Sequence, residues 1–116
     1  MATPMLSKVI QLIQQEQDRF VAAVVHLNDT YVIEERAGRL PGFPRLIATI
    51  QYLRDQVTRV TGQINRVLVL HSGDFIGPSL LSNHDHGASI TELLHRAGLD
   101  YCLPGNHEFD HGVTEL

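Results

Sequence analysis

Apolar residues occur along this chain in two patterns, and the two patterns alternate. Short, mostly apolar runs occupy residues 21–27, 66–71 and 100–103. The first two runs are rich in β-branched residues without period-two alternation, which is typical of strands covered on both faces. We therefore predict three strands. Cys102, inside the third run, is expected to be buried as a small apolar side chain.

The segments between these runs carry apolar residues at intervals of three and four, as an amphipathic helix does. The first such segment predicts a helix over residues 44–61, with Gly62 placed to end it. In the second, Ser89 and Glu92 have the spacing of a capping box, and Gly98 is suited to end the helix in the left-handed conformation. The predicted order is strand, helix, strand, helix, strand.

Residues 1–20 lack the apolar centre and small-residue cleavage site of a signal peptide. No apolar run approaches the roughly 20 residues of a membrane span. The segment has one apolar stripe, formed by Leu6, Val9, Ile10 and Ile13. We expect residues 1–20 to be an N-terminal amphipathic extension and residues 21–116 to form the domain.

Composition narrows the class of protein further. The 116 residues suffice for one small domain with one core, and 43% apolar residues is ordinary for a globular chain. A net charge of −4 offers no basic face for nucleic acid. A single cysteine excludes an internal disulfide. We expect a cytoplasmic protein that binds neither a membrane nor nucleic acid.

Polar residues follow each predicted strand at the point where it ends. Asp29 comes after the first strand, Asp74 after the second, and Asn106 with His107 after the third. Strands joined by helices form parallel units, whose carboxyl ends meet at one rim where ligands bind. Carboxylate and amide oxygens together with imidazole suit hard divalent cations. One alternative is that these residues only form turns. Another is that the chain is a small non-catalytic α/β module that binds a cation or phosphate weakly.

Three segments carry a resemblance to a known family. "HLNDTY", "LHSGDFIGPSLLS" and "LPGNHEFDHG", in this order, are similar to the amino-terminal part of the calcineurin-like metallophosphatases, in the branch of 5′-nucleotidases and UDP-sugar hydrolases. The resemblance covers about residues 21–116. It implies a βαβαβ portion of the family's α/β sandwich with an incomplete sheet. It also implies hydrolysis of a small phosphoester, a nucleotide or sugar phosphate, with two divalent metal ions (Mn, Zn, Mg or Fe).

The resemblance also implies roles for individual residues. Asp29 corresponds to a ligand of one metal, Asp74 to the aspartate that bridges both, and Asn106 to a ligand of the second. His107 corresponds to the catalytic histidine near the leaving group. Asp110 corresponds to the acid that orients this histidine, since a carboxylate three residues later can reach the ring. Glu108, which lies between them, is expected to face away and hold the loop.

The chain departs from the family pattern in two places. Tyr31 stands where the family usually has a histidine, so it is either a metal ligand or a phosphate contact. The family's further histidine ligands are absent, so we expect an amino-terminal part that is inactive alone and needs a C-terminal part of the same protein. His84 and His86 could substitute, but they lie in the turn-rich segment 72–87, where a solvated loop is the stronger expectation.

Overall fold

The computed structural model describes residues 22–31, 33 and 42–115. The predicted extension at residues 1–20 lies outside the described residues. In the described residues, strands and helices alternate, except that two consecutive helices precede the last strand. Two 3₁₀ turns follow this strand, at His107–Phe109 and Val113–Glu115. The elements are β1 (Ala23–Leu27), α1 (Gly42–Thr61), β2 (Val67–His71), α2 (Leu80–Asp85), α3 (Ala88–Arg96) and β3 (Tyr101–Cys102).

The three strands form one parallel sheet in the order β1-β2-β3. β1 pairs with β2 from Ala23 opposite Val67 to Leu27 opposite His71, and β3 pairs with the end of β2 through Tyr101 and Cys102. β2 is therefore central, and all three strands end at the same edge. The predicted α/β class with an incomplete parallel sheet is confirmed.

One face of the sheet is packed and the other is open. The packed face meets α1 and α3 in two adjoining clusters of buried side chains, built around Ile50, Val57, Val69, Ile90 and Leu94. On the open face Val24 is 61% exposed and Tyr101 is 70% exposed.

Within the described residues, the prediction that the strands are covered on both faces is therefore wrong. Both α1 and α3 pack on the same side of the sheet. The prediction that Cys102 is buried is also wrong, because this residue is exposed. It lies on the two-residue strand β3, at the edge of the described sheet, where no further described strand shields it.

The ends of α1 and α3 agree with the sequence in part. α1 begins at Gly42 rather than residue 44, and ends at Thr61 before a left-handed Gly62. Gly98 follows α3 with φ 76°, as predicted. In the described part of the chain no helix combines the length and apolarity needed to cross a bilayer.

The segment predicted as a loop contains the short helix α2. The capping box belongs to this helix, where Ser79 and Ser82 exchange side-chain and backbone hydrogen bonds. The box predicted at Ser89 is wrong, because the N-cap of α3 is Gly87. The carboxylate of Asp85 takes over the capping and accepts from the N–H groups of Gly87 at 3.0 Å and Ser89 at 2.9 Å.

The asymmetry of the sheet predicts a difference between two valines. Val69→Ala removes methyl groups from a side chain with 0% exposure and should lower the free energy of unfolding by about 1–3 kcal/mol. Val24→Ala, on the open face, should cost less than about 1 kcal/mol, mainly through strand propensity. Urea unfolding of the two variants measures both values. Equal losses would contradict an open face at Val24.

Candidate functional site

Three loops meet at the edge where the strands end. They follow β1 at residues 28–31, β2 at residues 72–76 and β3 at residues 103–110. The N–H of Asp29 donates to the carbonyl of Gly73 at 3.3 Å, which joins the first loop to the second. A Cβ added to Gly73 would lie 2.2 Å from the backbone nitrogen of Gly105, so the second and third loops touch through their backbones. The rim predicted from the strand ends is thus formed.

The third loop packs directly on the side chain of Asp74. A Cβ added to Gly105 would lie 2.2 Å from Asp74 Oδ1, so any larger residue there would displace the carboxylate. The backbone N–H of His107 donates to the same oxygen at 3.0 Å. This hydrogen bond fixes the Asp74 carboxylate. It also places the backbone of His107, the residue after Asn106, next to that carboxylate.

The carboxylate of Glu108 holds the second and third loops together. Its side chain is 2% exposed and accepts four backbone N–H groups. Oε2 accepts from Asp74 at 2.7 Å and from Gly105; Oε1 accepts from Phe75 at 2.7 Å and Ile76 at 3.1 Å. Burial alone would raise the pKa of Glu108, but these four donors together lower it below its usual range. The expectation that Glu108 holds the loop is confirmed.

Both aspartates of the rim have left-handed backbone conformations. Asp29 has φ 55° and Asp74 has φ 59°, in a region that residues other than glycine seldom occupy. Such conformations persist only where surrounding contacts hold them, and they occur often at functional sites. The amide of Asn28 donates to the carboxylate of Asp29, and Glu108 holds the N–H of Asp74.

His107 and Asp110 form a hydrogen-bonded pair on one turn. The 3₁₀ helix brings His107 Nδ1 to 2.7 Å from Asp110 Oδ2. The hydrogen bond to Asp110 and the nearby negative charges raise the pKa of His107. Nδ1–H donates to Asp110, and Nε2 makes no hydrogen bond to the described residues. The sequence predicted this pair correctly as a contact, while its catalytic role stays a prediction.

The chain matches the family model "Calcineurin-like phosphoesterase" over residues 22–116. It belongs to this family. It is 31% identical over 109 residues to "Probable 5′-nucleotidase" of Treponema pallidum (strain Nichols), which covers 84% of this chain and 17% of that protein. It is 27% identical over 94 residues to "Trifunctional nucleotide phosphoesterase protein YfkN" of Bacillus subtilis (strain 168), covering 80% of this chain and 6% of that protein. No solved structure matched the chain significantly.

The chain thus spans less than a fifth of the length of these curated relatives. Calcineurin-like phosphoesterases generally use divalent metal ions. The described residues contain no group of three His, Cys, Asp or Glu side chains that could hold a metal. The side-chain oxygens of Asp29, Asp74 and Asn106 are donors of the kind that hard cations prefer.

The structure adds His71 to the rim. It is 2% exposed at the end of β2; Thr30 Oγ1 lies 2.7 Å from its Nε2, and the N–H of Gly73 donates to its Nδ1 at 3.0 Å. Burial lowers its pKa, against the nearby carboxylates of Glu108 and Asp29. Sequence reasoning left its direction open. It lies on the same face of β2 as the buried Val67 and Val69, two and four residues earlier. The sequence did not show that this face is the covered one, because Leu68 and Leu70 on the other face are apolar too.

The remaining polar side chains lie around the rim. Tyr31 is half-buried, and His26 Nε2 contacts Ser72 Oγ. His84 and His86 are both exposed, as expected of a solvated segment, although His84 lies in the last turn of α2. The ring of His86 stacks on His111, with centroids 4.5 Å apart and planes 8° from parallel.

The buried carboxylate predicts a large effect of a small chemical change. Glu108→Gln keeps the side-chain shape but brings an NH₂ group against the N–H donors. It should lower the free energy of unfolding by roughly 2–4 kcal/mol, since buried donors then lack an acceptor. Glu92→Gln is the matched control, because Glu92 is an exposed partner of Arg96 on α3 and should have only a small effect. Thermal or urea unfolding compares the two, and similar small effects would contradict the role of Glu108.

Proposed function

We propose that residues 22–116 supply part of the active site of a metal-dependent phosphoester hydrolase of the 5′-nucleotidase type. The observation that carries the proposal is the packing of the third loop on Asp74. The His107 N–H holds its carboxylate at 3.0 Å, and the His107 side chain is paired with Asp110 at 2.7 Å. A fixed carboxylate on the second loop and an oriented imidazole on the third loop are therefore joined through the backbone N–H of His107.

The substrate class follows from the relatives and remains a proposal for this chain. Both curated relatives are named for nucleotides, one as a probable 5′-nucleotidase and one as a nucleotide phosphoesterase. We infer a small-molecule phosphoester, either a nucleotide or a sugar phosphate. The net charge of −4 disfavours binding of such an anion by the protein alone, and metal ions would offset this.

Three residues of the chain are proposed to hold metal. Asp29 would bind one ion, Asp74 would bridge two through its pair of oxygens, and Asn106 would bind the second through its amide oxygen. When bound, two such ions activate water and neutralise charge on the phosphoryl group. Three ligands are too few for two divalent ions, each of which takes four or more donors. We therefore propose that a further segment of the same protein supplies the others, and that these residues alone are inactive.

His107 is proposed to act on the leaving group without binding metal. Its Nδ1–H donates to Asp110, and the same carboxylate favours the protonated ring. A proton at Nε2 is then available to the departing oxygen. Asp110 contributes by holding the ring in this orientation. Its partner His107 directly follows Asn106 in sequence, so the proposed metal ligand and the proposed proton donor lie on the same loop.

The division of roles predicts different consequences for neighbouring residues. In the protein with all its ligands, His107→Asn should leave both metals in place and lower turnover about 10²–10⁴-fold. The loss should be smaller for nitrophenyl phosphate, whose leaving group needs less proton donation. Asp74→Asn should abolish both metal content and activity, because it removes the bridging carboxylate. Elemental analysis and steady-state kinetics on both variants provide the measurements.

His95→Asn is the matched control, since His95 is exposed on α3 and outside the rim. It should change neither metal content nor turnover. If His107→Asn strips the metals as thoroughly as Asp74→Asn, the proposed division of roles is wrong. If the unaltered protein binds metal without turning over any phosphoester, the non-catalytic binding module replaces the hydrolase.

The role of Tyr31 is decided by a second variant. If its phenol binds metal, Tyr31→Phe should lower the metal content after dialysis, because a ligand is lost. If it contacts phosphate, metal content should hold while KM rises. Elemental analysis together with KM distinguishes the two roles. Unchanged values in both would remove Tyr31 from the site.

A further inference from the structure

His71 is a buried imidazole to which the proposed mechanism gives no role. Buried polar or charged side chains are few among the described residues: His71, Ser82 and Glu108. Ser82 completes the capping box of α2 with the N-cap Ser79, and Glu108 joins two loops. His71 stands at the end of the central strand, with the ring of Phe75 packed edge-on at 5.3 Å.

The two hydrogen bonds of His71 reach the neighbours of both aspartates of the rim. Its Nε2 is 2.7 Å from the hydroxyl of Thr30, the residue directly after Asp29. Its Nδ1 is 3.0 Å from the N–H of Gly73, the residue directly before Asp74. One ring therefore connects the loop after β1 to the loop after β2, next to the two aspartates whose backbone is left-handed.

The chemistry of these two contacts settles which nitrogen carries the proton. A backbone N–H can only donate, so Nδ1 must accept from Gly73 and cannot be protonated. The proton of the neutral ring is then on Nε2, which donates to Thr30 Oγ1. Burial lowers the pKa of His71, which agrees with a neutral ring. Both nitrogens are engaged, so His71 is not a metal ligand in this arrangement.

We propose that His71 is a positioning residue that sets the separation of the two aspartates by bridging Thr30 and Gly73. The proposal rests on the proposed metal site. Asp29 and Asp74 have φ values of 55° and 59°, which are unfavourable for residues other than glycine and must be held by contacts. Glu108 holds Asp74 from the side of the third loop. His71 is the described side chain that connects the loops of both aspartates.

Three substitutions separate the two hydrogen bonds of His71. His71→Asn keeps an acceptor near the position of Nδ1, so it retains the bond from Gly73 and loses the bond to Thr30. His71→Gln places its amide near the position of Nε2 and does the reverse. Thr30→Val removes the partner hydroxyl without altering the ring. Val69→Ala is the control, since it removes buried volume from the same face of the same strand and makes no contact with the rim.

The experiment measures the affinity for Mn²⁺ by calorimetric titration, in the protein that contains the segment supplying the remaining ligands. Each variant is studied well below its own unfolding temperature. His71→Asn and Thr30→Val should each weaken Mn²⁺ binding about 10–100-fold, the usual range for lost partners of metal ligands. The double variant should bind Mn²⁺ about as weakly as either single variant, because both substitutions remove the same hydrogen bond. His71→Gln should also weaken Mn²⁺ binding, because it loses the other hydrogen bond, from the N–H of Gly73. Val69→Ala should leave the affinity for Mn²⁺ unchanged.

The outcomes separate this inference from the proposed function. If the unaltered protein binds Mn²⁺ and the variants at His71 and Thr30 bind equally well, His71 has no positioning role and the metal site stands. Equal weakening by Val69→Ala would also overturn the role, because general destabilisation would then explain the loss. If the unaltered protein binds none of Mn²⁺, Zn²⁺, Mg²⁺ and Fe²⁺, both proposals fail. Should His71→Asn not fold, Thr30→Val decides alone.

Discussion

Four backbone N–H groups from two loops converge on the carboxylate of Glu108, and the arrangement of the rim depends on this convergence. Burying a carboxylate costs several kcal/mol unless donors replace its water. Loop N–H groups that turn inward face the same problem, because they have no strand or helix to pair with. In this cluster the loop N–H groups supply the donors that the carboxylate needs, and the carboxylate supplies the acceptor that they need. The loop after β2 and the loop after β3 are consequently held as one unit, although 34 residues separate Asp74 from Glu108 in sequence.

Close backbone contact follows from this cluster. Gly105 fits against the carboxylate of Asp74, where a methyl group would overlap Oδ1, and Gly73 fits against Gly105 in the same way. Asp74 and Asp29 both adopt left-handed conformations, which cost energy and are retained because their neighbours are hydrogen-bonded. Under the proposed function, protein contacts would hold these carboxylates in the orientation in which they bind a cation. This reduces the ordering that binding would otherwise require.

The sheet explains why these loops are neighbours at all. β2 is central, so the residues that follow it lie between the loops after β1 and β3. Its core-facing positions end in His71, whose ring joins two of the three loops, while its last residues lead into Asp74. On the open face of the sheet Val24 and Tyr101 are exposed. The central strand β2 therefore contributes Val67 and Val69 to the core and His71, at its end, to the rim.

Local order along the chain determined the three strands, the long helix and the identity of the polar residues at the strand ends, because hydrophobic period and turn residues act over a few positions. It also determined that Asp110 could reach His107, since both lie on one turn. Spacing along the chain did not show that Asp85 caps α3, that Cys102 is exposed or that His71 faces inward to join Thr30 and Gly73. The tertiary structure decided these points. Exposure depends on which elements cover a face, and a hydrogen-bond partner 41 residues away is selected by packing.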